Sequence, residues 1–147
     1  MKNSILKDIL DLKEGNGYHI IDISYKSYED GRFSLVFDGD ANFQFIIEDK
    51  FEELITASIS LYKVYKEEIK RTLKSSNSNE FPLVSLSVIA DNKGNCINMK
   101  ISNFGVTKAN PNDIEEIINT LNNINNNLTD NLNKLLDKFA EENDIVK

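Results

Sequence analysis

The sequence predicts one α+β domain in which an antiparallel sheet of about five strands carries helices on one face. Three observations support this class. Apolar residues recur every three or four positions between residues 110 and 142, as in one long amphipathic helix. Two earlier regions alternate apolar and polar residues, as half-buried strands do. The connections are short, which favours antiparallel neighbours. The predicted order of elements is α-βββ-α-ββ-α.

The first elements are a short helix and a three-stranded meander. Residues 4–14 follow a helical period and precede Gly15, a residue type that commonly ends helices. Three apolar sets then alternate with polar residues and are separated by turns rich in acids and glycine: Ile21, Ile23 and Tyr25; Phe33, Leu35 and Phe37; Phe43, Phe45 and Ile47. We interpret these sets as three consecutive strands that share one buried face.

A second helix is predicted between residues 49 and 74. Asp49 and Glu52 have the spacing of a capping box, and Lys74 lies in the last turn, where a cation complements the helix dipole. Two further alternating sets predict a hairpin after this helix: Val84, Leu86 and Val88; Ile97, Met99 and Ile101. We expect all five strand sets to face the helices.

The C-terminal helix is predicted to begin at Asn110 and Pro111. Eight Asn between Asn119 and Asn133 make its polar side a poor helix former, so the helix should form only when it is docked. Six residues have the spacing of a two-helix coiled coil, and we expect them to form a homodimer seam: Ile117, Leu121, Ile124, Leu128, Asn131 and Leu135. The alternative is one broad stripe that serves only the chain's own core.

A length of 147 residues indicates a single domain. Within it, residues 18–74 and 81–142 resemble each other at an offset of 63, since residues 51–55 align with residues 114–118 and Gly31 aligns with Gly94. The strand alternation matches only after a slip of one residue. The similarity therefore indicates either a duplicated hairpin-helix unit or two helix starts of common composition.

Few residues indicate enzymatic chemistry. His19 is the only histidine and Cys96 the only cysteine, so one chain cannot assemble a His-rich metal site. The glycines are scattered among turns and form no phosphate-binding loop. Asp38 and Asp40 begin a calcium-loop pattern, but Phe43 occupies the position where the sharp turn requires Gly. We expect no enzymatic activity, no cofactor and no metal.

The composition favours a soluble cytoplasmic protein. Charged residues make up 28% of the chain, and no apolar run approaches the length of a membrane span. Residues 1–15 lack the continuous apolar stretch of a signal peptide. A lone cysteine excludes an internal disulfide and is compatible with a reducing compartment.

Negative charge is concentrated in one region. Residues 29–53 hold two basic residues and eight acids, a balance of −6 where the whole chain has −7: Glu29, Asp30, Asp38, Asp40, Glu48, Asp49, Glu52 and Glu53. A compact negative field attracts basic surfaces and repels phosphates. We expect these acids to bind a protein partner with a basic surface, and we expect no direct nucleic-acid binding. The alternative is a surface that only aids solubility.

Three classes of function remain open. The leading one is an interaction protein that occludes a basic site of its partner, as an immunity protein or a phage-encoded inhibitor does. The second is a dimeric chaperone or adaptor, because the order of elements and the acidity are similar to those of type III secretion chaperones; this resemblance rests on topology and transfers no residues. The third is a small ligand-binding module or enzyme that uses carboxylates in a pocket.

Overall fold

The computed structural model describes residues 2–91, 94–101 and 111–144, without the side chains of residues 94, 95 and 111–113. The elements in chain order are α1 (Lys2–Leu10), β1 (Gly17–Ser27), β2 (Phe33–Gly39), a 3₁₀ turn (Ala41–Phe43), α2 (Gln44–Ile47), a second 3₁₀ turn (Glu48–Lys50), α3 (Phe51–Ser76), β3 (Glu80–Asp91), β4 (Gly94–Ile101) and α4 (Pro111–Glu142). The α+β class and the long C-terminal helix are confirmed. The predicted helix start at Asn110 lies outside the described residues.

The sheet has four antiparallel strands in the order β2-β1-β3-β4. Ile23 of β1 pairs with Phe37 of β2 on one side and with Val84 of β3 on the other, and Val84 pairs with Ile101 of β4. Paired residues point to the same face of a sheet. Four of the five predicted apolar sets are therefore strands, and they share the face on which α3 and α4 pack.

The predicted third strand is wrong. Phe43 lies in the first 3₁₀ turn, and Phe45 and Ile47 lie in α2. The carboxylate of Asp40 accepts a hydrogen bond from the backbone N–H of Asn42 at 2.9 Å, which caps the first 3₁₀ turn. A side-chain cap of this kind competes with extended backbone. Phe43 and Ile47 are still buried, because a helical turn also brings positions four apart onto one side.

The predicted capping box at the start of α3 is also wrong. Asp49 lies inside the second 3₁₀ turn, and α3 follows Lys50 without a side-chain cap. The helix continues directly from the turn before it, so its first amides do not depend on Asp49. At the other end, Asn77 adopts the left-handed conformation, with φ of 56°, and its backbone N–H donates to Leu73.

Part of the predicted dimer seam of α4 is buried in the chain's own core. Leu121, Ile124 and Leu128 of the predicted dimer seam are each 1% exposed, whereas Ile117 and Leu135 are half-buried and Asn131 is exposed. The buried part of the seam packs internally, beside the buried Leu132 and Leu136. This arrangement corresponds to the alternative of one broad stripe. Dimerisation through the seam stays a prediction.

Two β-bulges in the central ladder between β1 and β3 have related positions. The register skips Ile20 in β1 and Leu83 in β3. Each bulge turns two consecutive side chains inward, so Ile20 and Ile21, and Leu83 and Val84, are all buried. Ile20 and Leu83 are 63 positions apart, which is the offset of the sequence similarity.

The helices and the strand order also agree with a duplication. Each half is a hairpin followed by a long helix. In the order β2-β1-β3-β4, the first strand of each hairpin lies in the centre of the sheet and the second strand lies at an edge. Buried residues of α3 match buried residues of α4 at 63 positions: Leu61 with Ile124, Tyr65 with Leu128, Ile69 with Leu132, and Leu73 with Leu136. These matches favour the duplication of residues 18–74 and 81–142, which remains a hypothesis.

Within the described residues, none of the helices combines the length and the hydropathy that crossing a membrane requires.

Two neighbouring substitutions in α4 should have opposite effects on stability. Leu121→Ala removes a side chain that is 1% exposed and should cost about 2–5 kcal/mol through the cavity it leaves. Asn122→Ala changes an exposed residue of low helix propensity and should stabilise the chain by about 0.5 kcal/mol. Urea denaturation followed by circular dichroism measures both. A loss below about 0.5 kcal/mol for Leu121→Ala would show that α4 does not dock through this face.

Candidate protein-binding surface

The structure separates the eight predicted acids into two groups, all of them exposed. Glu29 and Asp30 lie in the turn between β1 and β2, where Asp30 forms an ion pair with Arg32. The other six lie between the far end of β2 and the first turn of α3, and we call them the acidic surface: Asp38, Asp40, Glu48, Asp49, Glu52 and Glu53. The seven residues of β2 place the two groups about 20 Å apart.

A groove of about 540 Å³ lies beside the acidic surface, between the first turns of α3 and α4. Glu52 and Glu53 line it from α3, Glu116 lines it from α4, and Thr56 and Thr120 add hydroxyl-bearing side chains to the lining. Carboxylates and hydroxyls accept hydrogen bonds, so the groove suits guanidinium and ammonium groups. The exposed ion pair of Lys50 with Glu53, at 3.2 Å, offsets only part of this charge.

Glu116 was missed by the sequence analysis because it belongs to another element. The sequence nevertheless contains an indication of its role, because the offset of 63 aligns Glu53 with Glu116. The groove requires α3 and α4 to pack side by side, and a tertiary contact of this kind has no local pattern. Within residues 2–91, 94–101 and 111–144, no group of His, Cys, Asp and Glu side chains is arranged to hold a metal ion.

Exposed aromatic residues lie along β2. The Phe33 and Phe37 side chains are 58% and 41% exposed, although the sequence predicts that they are buried. They do lie on the helix side, since the Phe33 ring contacts Tyr62 and the Phe37 ring contacts Phe51, with centroid distances of 5.4 and 5.5 Å. The reason for their exposure is that α3 packs over β1 and β3 and α4 packs over β4, so the outer strand β2 is left largely uncovered.

We define the aromatic edge as five neighbouring side chains: Phe33, Leu35 and Phe37 of β2, and Ile59 and Tyr62 of α3. Ile59 is 38% exposed and lies one helical turn before Tyr62. Leu35 is half-buried, and Tyr62 stacks on Tyr25 with 4.6 Å between ring centroids. The aromatic edge thus joins exposed apolar side chains to the buried core.

The backbone of β2 has unpaired groups on its outer side. The N–H of Tyr28 donates to the carbonyl of Arg32, and the N–H of Asp40 donates to the carbonyl of Ile20. Bonded and non-bonded pairs alternate in an antiparallel ladder, so Ser34, Val36 and Asp38 bond to β1. The N–H and C=O groups of Phe33, Leu35 and Phe37 therefore point outward. Among the described residues, β2 has no strand on that side.

An apolar pocket of about 230 Å³ lies where β2 ends, next to Asp40. Its lining includes Phe37, Ile47 and Phe51. Gly39 also lines the pocket and allows β2 to approach β1 closely, since a Cβ atom there would lie 2.5 Å from the carbonyl oxygen of Ile20. This volume is below the range of about 300–1,000 Å³ that is typical for small-molecule sites. It suits a single apolar side chain.

The only histidine lies on the opposite face of the sheet, where its Nε2 is 3.0 Å from a carboxylate oxygen of Asp22. Burial raises the pKa of Asp22, but hydrogen bonds from His19 and Ser85 outweigh burial and hold that pKa below its usual value. Both donors thus bond to the acid, whereas a catalytic triad requires the histidine between the acid and the serine.

The single cysteine has the wrong environment for a nucleophile. Burial, and then the hydrogen bond and charge of Asp91, raise the pKa of the Cys96 thiol. Its Sγ donates to the carbonyl of Ile89 at 3.4 Å. Reactive cysteines have lowered pKa values, so Cys96 is a packing residue of β4.

The sequence matches no protein-family model, and no curated protein or solved structure shows significant similarity to the chain.

The tyrosine of the aromatic edge should make stability fall at alkaline pH. Burial, and then the hydrogen bond and charge of Tyr25, raise the pKa of Tyr62 from 10 to about 12. The folded state thus disfavours the ionised form, and stability is lost as pH rises from about 10 towards 12. At pH 11 the loss should reach about 1.4 kcal/mol, measured by urea denaturation against pH 8.

Tyr62→Phe should remove this additional loss. Tyr28→Phe is the matched control, because Tyr28 is exposed and its substitution should leave the alkaline fall unchanged. Equal alkaline losses in wild type and Tyr62→Phe would contradict a buried, hydrogen-bonded Tyr62 hydroxyl.

Proposed function

We propose that this chain binds a protein partner through the acidic surface and the neighbouring aromatic edge, and so occludes a basic site of that partner, as an immunity protein or an inhibitor does. The observation that carries the proposal is that the aromatic edge, which runs along β2, meets the six exposed acids where β2 ends, at Phe37 and Asp38. Protein interfaces commonly combine an aromatic centre with a charged rim.

The charge distribution supports a basic partner and gives it a preferred orientation. α3 carries Glu52 and Glu53 in its first turn, while Lys70 and Lys74 near its other end line a separate groove of about 720 Å³. The 26 residues of α3 are about 39 Å long, well beyond the screening length of about 8 Å at physiological salt. A basic surface is therefore drawn to one end of the helix.

A second candidate is an adaptor or chaperone that holds an extended segment of its partner. The specific observation in its favour is the outward-facing backbone of β2 beside the aromatic edge. Both candidates use β2 and the acidic surface next to it, and they differ in whether the partner is bound folded or extended.

Charge reversal in the acidic groove tests the proposal. Glu52, Glu53 and Glu116 are replaced together by Lys, and the partner is identified by cross-linking to the wild-type chain in an extract of its natural source. The association rate of that partner should fall about tenfold at low salt, and the difference should shrink at high salt because the ions screen the field. Surface plasmon resonance at two salt concentrations measures the association rates of the wild type and the variant.

The matched control changes the net charge equally at exposed sites outside the groove, with Glu67, Glu141 and Glu142 replaced by Lys. Its association rate should fall much less. Equal rates for the two variants at low salt would contradict a localised acidic interface, provided that circular dichroism shows both to be folded.

A further inference from the structure

The outer side of β2 indicates how the partner is held. We propose that an extended segment of the partner adds to β2 as a fifth strand of the sheet, with an alternating apolar pattern and with Lys or Arg beside the acidic surface. This inference rests on the proposed function and specifies its binding mode. Strand addition of this kind takes affinity from main-chain hydrogen bonds and specificity from pockets for alternate side chains.

The backbone of β2 supports a guest strand. The outward N–H and C=O groups belong to Phe33, Leu35 and Phe37, and no proline or charged residue lies between Phe33 and Phe37. Edge strands usually carry such residues as protection against unwanted pairing. The stretch from Phe33 to Phe37, which ends before the charged Asp38, is therefore a ready template for another strand.

The opposite edge of the sheet is built differently. β4 is the other outer strand, and Ile97, opposite Val88 in the ladder, is 1% exposed because α4 packs over it. The hydroxyl of Thr129 in α4 reaches the carbonyl of Ile97 at 3.5 Å. Met99 and Ile101 of β4 are half-buried, as Leu35 is, but Phe33 and Phe37 of β2 are exposed, so among the described residues β2 is the edge with more apolar surface left to bury.

The side chains around β2 define the pattern of the guest strand. On the helix side, its residues would lie against Phe33, Leu35, Phe37 and Ile59, which favours apolar side chains at alternate positions. The pocket of about 230 Å³ at the end of β2 holds one further apolar side chain. Asp38 and Asp40 are exposed at the same end, so a neighbouring Lys or Arg finds a carboxylate there.

Charge distinguishes this partner from a second copy of the chain. Residues 29–53 carry a balance of −6, and pairing β2 with β2 of another copy would bring two such regions together. Juxtaposed like charges disfavour an interface. A segment with positive flanks instead complements the region. The occupant we propose is therefore a basic segment of a different protein.

A synthetic peptide with the sequence KKVTVTVKK serves as the probe, and a peptide with Glu in place of each Lys is its control. The Lys peptide should bind the full chain saturably with a Kd below about 1 mM, and the Kd of the Glu peptide should be at least tenfold higher. NMR hydrogen exchange should show new protection of the amides of Phe33, Leu35 and Phe37. The amides of Ser34 and Val36, which already bond to β1, should change little.

A pair of variants isolates the backbone contribution. Leu35→Pro removes an outward N–H without breaking the ladder with β1, a position where edge strands tolerate proline. Leu35→Ala removes the same side chain and keeps the N–H. The Lys peptide should bind Leu35→Pro at least tenfold more weakly than Leu35→Ala, with both variants folded by circular dichroism.

Equal binding to the two Leu35 variants, unchanged exchange along β2, or no saturable binding would each overturn strand addition. A dimer of the free chain would also overturn it. Sedimentation equilibrium would then give a mass near twice 16.7 kDa, and the β2 amides would be protected without peptide, because a second copy would occupy the edge. The experiments distinguish failure of strand addition from failure of the proposed function. A natural partner that is sensitive to the groove charges but binds both Leu35 variants equally would leave the acidic interface intact and remove only the strand.

Discussion

The fold depends on the docking of α4, because this helix has little tendency to form alone. Its eight Asn between Asn119 and Asn133 each cost about 0.6 kcal/mol relative to Ala, whereas each fully buried Leu or Ile contributes about 1.5–3 kcal/mol. The buried stripe from Leu121 to Leu136 packs against α3 and β4. Helix, sheet and core therefore form together, and a substitution in the stripe acts on the whole domain.

The same docking leaves the two edges of the sheet unequal. α4 covers β4, and α3 covers the two central strands, while β2 keeps its aromatic residues partly in water. Phe33 and Phe37 contact Tyr62 and Phe51 of α3 and still keep 58% and 41% of their surface exposed. Phe37 adjoins the acidic surface at Asp38, and for this reason we propose that the rings contribute to binding.

Much of the fold could be predicted from the sequence, because long segments with one period leave few alternatives. The C-terminal helix follows from its helical period, and four of the five strand sets follow from the alternation of apolar and polar residues. Residues 41–50 could not be predicted in this way, since Phe43, Phe45 and Ile47 satisfy a strand alternation over too few positions to exclude a helical turn. The hydrogen bond from Asn42 to Asp40 decides between the two.

The candidate site was predictable only in part. The composition of residues 29–53 identified the six acids of the acidic surface, but it could not separate them from Glu29 and Asp30 at the other end of β2. Glu116 joins the groove through helix packing, and the exposure of Phe33 depends on which strands the helices cover. Such features arise from contacts between distant segments, which no local pattern records.

The matched bulges at Ile20 and Leu83 have a consequence for how such a chain can evolve. If the two halves descend from one hairpin-helix unit, the ancestor was a symmetric pair in which every substitution changed both edges of the sheet at once. Fusion of the genes removes that coupling. One copy can then keep its outer strand covered and maintain stability, while the other accumulates the aromatic and acidic residues that selection for a partner favours.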